Sequence, residues 1–324
     1  MRSLISAIMN KFRLYFILFC SVFILFSCNK ADSVTAVPVR AYDVQYADDI
    51  AIIEDYLNTH YLVVEENQDV TISKITDPLV QSSMMSLLDS ETYPKLLVKE
   101  VEANDITYKI YYLKLRADYE TGIAPSKADS VLASYNGTYL SYKTETVNEV
   151  PTTTLLATQF EYTPFPSLFL RLDLAVRGWR EILPLFRAGQ KTDVTGEPTS
   201  YTDFGAGVIF IPSGLGYFNV PQAGIPSYSP LVFSFKLYDV KYTDQDQDGI
   251  LSNDEDLNGD GDFTNDDTDG DGVQNLYDVD DDGDSYLTKN EIKINGVIPT
   301  SYSEILDCSG TTIGLKKHLD PTCN

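Results

Sequence analysis

Between Tyr46 and Tyr61 the apolar side chains Ile50, Ile53, Tyr56, Leu57 and Tyr61 recur at the spacing of one helical face, with Asp48 and Asp49 read as the first turn. The stripe predicts an amphipathic helix packed on the protein's own sheet or on a second copy. From Leu96 to Ala117 the rhythm changes to alternation through Leu97, Val98, Val101, Ile106, Tyr108, Ile110 and Tyr112, which predicts two strands joined near Asn104-Asp105. Alternation returns at Leu231, Phe233, Phe235 and Leu237, and Val208 to Ile211 adds a short strand ending at Pro212. After Gly178-Trp179, Arg180 to Phe186 is the one helical stretch among these strands. Pro184 keeps it short, and Gly189 stands where a C-cap is expected. Several strands with few helices make the fold class α+β.

The start of the chain follows another logic. Arg2, Lys11 and Arg13 precede an apolar run from Leu14 to Phe26, too short for the ~20 residues that a membrane-spanning helix needs. The run ends at Leu25-Phe26-Ser27-Cys28, which resembles a bacterial lipobox. The resemblance implies a signal peptide over 1–27, lipid on Cys28, and anchoring in the bacterial cell envelope at the outer membrane, plain secretion or a retained anchor being the other readings; the small and polar residues that follow, with Pro38, read as a tether over 28–45. With Cys28 lipidated and the leader removed, Cys308 and Cys323 remain, an isolated pair that predicts a disulfide in an oxidising compartment, two free thiols being the other reading.

Charge changes the picture further. The net charge of -24 argues against a nucleic-acid partner, which needs clustered Lys and Arg. From Thr243 to Asn295, eighteen acidic residues face only Lys289 and Lys293. Their spacing is regular. Asp244, Asp246, Asp248, Ile250 and Glu255 take ligand positions of a twelve-residue Ca²⁺ loop, with Gly249 at the turn. A second register runs Asp256, Asn258, Asp260, Asp262, Asp267, and a third Asp267, Asp269, Asp271, Val273, Asp278. The fourth is Asp280, Asp282, Asp284, Tyr286, Glu291, with Ser285 where the loop glycine belongs. Oxygen ligands at alternate positions wrap one cation, so residues 243–295 predict structural Ca²⁺; the bland alternative is a disordered acidic spacer. Without room for long helices between loops, the stretch resembles thrombospondin type 3 or dockerin-type Asp repeats, with EF-hand-like loops. Residues 296–324 form a C-terminal segment holding the cysteine pair.

The centre of the chain carries ordered motifs. They are Arg177-Gly178-Trp179-Arg180-Glu181 with Gly189-Gln190, Ile211-Pro212-Ser213-Gly214-Leu215-Gly216-Tyr217, Gly224-Ile225-Pro226 and Pro230-Leu231-Val232-Phe233. Upstream stand Gly122, Pro125, Lys127 to Val131, Tyr135-Asn136-Gly137 and Phe160-Glu161. In this order they resemble the FKBP family of peptidyl-prolyl isomerases, over residues 129–242, with 46–128 supplying the N-terminal helix and first strands. The resemblance implies an antiparallel sheet wrapped around a short helix. It also implies a site with Trp179 as floor, Tyr135, Phe160, Val176, Ile225 and Phe233 as walls, Glu161 beside Phe160, and donors from the Tyr217 hydroxyl and the Val176 N–H. An apolar site suits the chemistry, because a twisted Xaa-Pro amide is less polar than the planar one and loses less on leaving water. The implied activity is isomerisation of Xaa-Pro bonds in exported proteins, with no catalytic cofactor. Glu161 replaces the family's Asp, Phe218 replaces a common Gly, and residues 143–158 and 191–206 are extra. Those departures define the alternative: a non-catalytic binding or surface-interaction module on a Ca²⁺-stabilised stalk.

Overall fold

The computed structural model describes residues 38–323; the expected leader, Cys28 and most of the tether lie outside the described residues. Helix α1 (Tyr42–Thr59) starts earlier than its apolar stripe, so Asp43 occupies the first turn and Asp48 and Asp49 fall in the second. Its Ile52, Ile53, Tyr56 and Leu57 are buried. The helix stops at Thr59 because the run Tyr61-Leu62-Val63-Val64 is taken into a strand, β1 (His60–Val64), paired antiparallel with β2 (Val70–Lys74). That hairpin has no counterpart in the sequence expectations.

β3 (Lys95–Ala103) and β4 (Ile106–Lys114) form the expected hairpin, turning at Asn104 (φ 52°) and Asp105 (φ 60°), the left-handed pair that a tight hairpin turn requires. β5 (Ser130–Val147), β6 (Val150–Thr163), β7 (Leu170–Arg171), β10 (Gly205–Ile211) and β11 (Leu231–Lys241) complete a seven-stranded sheet. Its order is β3-β4-β10-β11-β5-β6, with β7 also on β5, and every pairing is antiparallel. Helix α2 (Arg177–Ile182) packs on one face and α1 on the other. Every residue of β10 is buried, because that strand lies near the middle with both faces covered. The fold is α+β.

The two extra segments have separate fates. Residues 143–158 lengthen β5 and β6 into a ribbon closed by Asn148 and Glu149, both at positive φ. Residues 191–206 hold most of a small hairpin, β8 (Gln190–Thr192) with β9 (Ser200–Thr202). Its Tyr201 stacks on Tyr238 at 5.4 Å, and the Tyr238 hydroxyl accepts from Ser134 Oγ at 3.1 Å. Ser134 alternates with Ala133 and Tyr135, so this insertion sits over the sheet face opposite α2. After α2, Pro184 enters a 3₁₀ turn, Leu183–Leu185. Gly189 is not the C-cap; its N–H donates to the Tyr238 carbonyl at 3.2 Å as the chain enters β8.

Beyond β11 the chain runs in turns and one short helix, α3 (Thr288–Glu291). Ile250, Ile292 and Ile305 form a small buried core there, and Cys308 is joined to Cys323. Among the described residues no helix is long and apolar enough to cross a membrane.

Candidate functional site

Strand register assembles an aromatic cluster against α2. On β11 and β5, Phe233 faces Gly137 and Phe235 faces Tyr135. A Cβ on Gly137 would lie 2.6 Å from Phe160 Cζ and 2.9 Å from Phe233 Cε1, so only glycine lets both rings lie over the strand. The β5–β6 register slips here: Gly137 pairs with Glu161 and Thr138 with Gln159, leaving Phe160 as the unpaired residue of a bulge. A bulge re-aims its side chain, and the Phe160 ring meets Phe233 edge-on at 5.6 Å. Trp179 on α2 lies 5.3 Å from Tyr135 and 5.3 Å from Phe233, both near-perpendicular contacts of the kind aromatic quadrupoles favour.

The polar groups are sparse. Tyr135 donates its hydroxyl to Glu161 Oε1 at 2.7 Å, so the side chain that is one methylene longer than Asp still reaches its partner. Burial and then this carboxylate push the Tyr135 hydroxyl up to about 12. Burial, followed by the Glu161 charge, also raises Tyr217. Among the described residues no hydrogen bond engages the Tyr217 hydroxyl or the Val176 N–H, and the buried Trp179 Nε1 has no partner. Ile225 is buried beside Gly224, whose φ of 81° needs glycine. Phe218 points elsewhere: it stacks on Tyr42 at 4.1 Å and meets Tyr228 edge-on. The structure thus brings Tyr135, Phe160, Trp179, Tyr217, Ile225 and Phe233 to one apolar cluster, with Val176 capping the helix beside them. The cluster is apolar at its centre, with the Tyr217 hydroxyl and the Val176 N–H as unpaired donors among the described residues.

Two supports were not legible. Glu181 on α2 is buried, which alone would raise its carboxyl, but Lys99 at 3.0 Å and Lys127 at 3.1 Å bring it below its ordinary value, and the Lys99 pair ties α2 to β3. Asp49 on α1 accepts from Ser213 N at 2.7 Å and Ser213 Oγ at 2.6 Å, pinning the loop that carries Tyr217. Read from the sequence, Asp49 is only a helix-start acid; nothing local indicates a partner 164 residues away.

The acidic loops share one geometry. At the sixth position Gly249, Gly261, Gly272 and Ser285 all have positive φ, and each donates its N–H to the loop's first Asp: Asp244, Asp256, Asp267 and Asp280. Ser285 therefore adopts the backbone expected of glycine. Asp244, Asp246 and Asp248 converge, as do Asp267, Asp269 and Asp271, and Asp280, Asp282 and Asp284. The second register gathers no such triad among the described residues; Asp260 accepts instead from Asn265 Nδ2 at 2.9 Å. Asp278 is half-buried and raised by burial, while Glu291 is buried with neither oxygen hydrogen-bonded and is pushed up to about 8 by burial and then by Asp282. Ile250, Val273 and Tyr286, at the seventh positions, donate their N–H groups to Asp248, Asp271 and Asp284, as does Asp262 to Asp260. A fourth convergence crosses loops: Asp248, Glu255 and Asp281. Burial, then mutual repulsion, pushes Glu255 up to about 10 and Asp281 to about 9. Asp281 lies outside the sequence-predicted ligand set.

Residues 245–313 match the BamM_C family, described as BamM C-terminal. The match covers about a fifth of the chain. It overturns the assignment of the acidic stretch to a thrombospondin type 3-like, dockerin-like or EF-hand-like module. The physical reason is visible in the packing: the matched stretch runs past the last loop, and Ile292, Ile298, Tyr302 and Ile305 fold back on Ile250 of the first loop. Periodicity alone shows the loops and misses that closure. No curated protein matches the chain. Among solved structures it is similar to a peptidyl-prolyl cis-trans isomerase from Pseudomonas syringae pv. tomato, at 21% identity and TM-score 0.30, covering 44% of this chain and 80% of that one. It is also similar to FkpA from Escherichia coli, at 26% identity and TM-score 0.27, covering 41% of this chain and 48% of FkpA, so it spans about half of that protein's length. Both likenesses are distant.

Proposed function

We propose that residues 129–242 form an FKBP-type module that recognises proline-containing segments of exported proteins, with binding as its primary activity. The observation that carries this is the edge-to-face cluster of Tyr135, Phe160, Trp179 and Phe233, beside which the Val176 N–H and Tyr217 hydroxyl are left without partners among the described residues. A proline ring entering the cluster leaves water, and the two donors take the carbonyl of the bound segment. Turnover is the second reading. It is favoured by the Tyr135–Glu161 hydrogen bond, which keeps a carboxylate at the edge of the cluster despite the change from Asp. We extend the proposal to location: lipid on Cys28 holds the module at the bacterial envelope, supported by the charged and apolar pattern of residues 1–28.

The test is titration of the full chain with short Xaa-Pro peptides, followed by NMR line shifts and by cis-trans exchange spectra of the same peptides. Binding that falls about tenfold or more in Trp179→Ala, and measurably in Tyr217→Phe, supports the module. Accelerated exchange in wild type would promote isomerisation to the main reading. A folded wild type that neither binds nor accelerates exchange sinks both.

A further inference from the structure

Asp248, Glu255 and Asp281 are 1%, 2% and 1% exposed, and one carboxylate oxygen from each lies within 4.8 Å of the others. Neither oxygen of Glu255 receives a hydrogen bond, neither does either oxygen of Asp281, and Asp248 Oδ2 is also without a donor. Buried carboxylates are ordinarily paired, hydrogen-bonded or metal-bound. Lys289, the cation whose charge bears on Asp248, gives its ammonium to the Gln247 carbonyl at 2.8 Å. The other neighbours are Asp244 and Asp246 of the first loop, Asp278, Thr288, whose Oγ1 accepts from the Asp281 N–H at 3.1 Å, and the half-buried Tyr302, which lies close enough to feel Asp281, Asp254 and Glu255.

Position in the loops sets Asp281 apart. Asp280, Asp282 and Asp284 are alternate residues that converge on one another, so the intervening Asp281 turns out of its own loop. It meets Asp248, which is 33 residues earlier in the chain. We propose that Asp248, Glu255 and Asp281 jointly hold one Ca²⁺ ion that ties the first acidic loop to the last. Ca²⁺ takes only oxygen ligands, at about 2.3–2.6 Å, so oxygens on opposite sides of the ion stand up to about 5 Å apart, which accommodates the observed spread. Mg²⁺ demands a tighter octahedron and gives up its water reluctantly. The tie closes around the small core of Ile250, Ile292 and Ile305. The site is independent of the aromatic cluster.

The experiment uses the full chain, stripped with EGTA and titrated separately with Ca²⁺ and Mg²⁺, with thermal unfolding and calorimetric binding as readouts. Ca²⁺ should raise the unfolding midpoint by several degrees and more than Mg²⁺ does. Glu255→Gln and Asp281→Asn should each weaken the Ca²⁺ response about tenfold or more, whereas Glu197→Gln, an exposed carboxylate between β8 and β9, should keep it. The proposal is overturned by a folded wild type indifferent to Ca²⁺, or by a Ca²⁺ response that both variants retain. A response to Mg²⁺ equal to that to Ca²⁺ overturns the choice of ion.

Discussion

Asp49 is 1% exposed, and its carboxylate accepts from Ser213 twice and from Gln45 Nε2 at 2.6 Å. Burial outweighs those hydrogen bonds and pushes the carboxyl up to about 6. A carboxyl whose pKa is raised on folding holds its proton more tightly in the native state than in the unfolded one. Its contribution is therefore full below the unfolded value near 4, and is lost as pH rises through about 6. Removing that titration with Asp49→Asn should flatten the stability profile between pH 4 and pH 6.5 by about 2 to 3 kcal/mol relative to wild type. Urea unfolding of both proteins across that range measures it; parallel profiles would show that the carboxyl titrates normally. The residue also marks the limit of local reading. Its charge near a helix start suggested a dipole role, whereas its partner comes from the loop that leads to Tyr217.

Elements were legible where one period dominated. The β3–β4 hairpin and β11 show two-residue alternation over most of their length, and α1 shows its stripe, because successive strand residues point to opposite faces of the sheet and every third or fourth helix residue shares one face. Boundaries failed where neighbours competed. β1 takes Tyr61 from α1 because β2 is there to pair with it, and Gly189 is set by Tyr238 rather than by α2. The bulge at Phe160 is a pairing property that neither strand reveals alone. In the C-terminal segment the cysteine pair was readable from isolation in sequence, and its bond spans a separation of 15 residues. Closing such a loop restricts the unfolded chain by about 3 kcal/mol. Cys308→Ser with Cys323→Ser should therefore lower the unfolding midpoint in oxidising buffer, and adding reductant should bring wild type down to the same value. Equal midpoints without reductant would show that the bridge contributes nothing.

At the scale of the molecule, hydrophobic support is uneven. Two extensive buried clusters flank the sheet, while the acidic region rests on Ile250, Ile292 and Ile305. If a cation supplies the missing cohesion, chelation should loosen that region first. Digestion with a nonspecific protease in EGTA should leave a resistant fragment ending near Lys241, whereas the chain in Ca²⁺ should persist to its C-terminus. Uniform digestion of the whole chain in EGTA would contradict this division. By itself the sequence determined the α+β class, the alternating strands, the ordered aromatic motifs and the repeated acidic spacing, since each is written in the period of neighbouring residues. Only the tertiary structure decided that Gly137 makes room for Phe160 and Phe233, that Asp49 meets Ser213, and that Asp281 leaves its loop for Asp248 and Glu255. Those contacts join residues far apart in the chain, and their partners are chosen by packing and register, which no local pattern encodes.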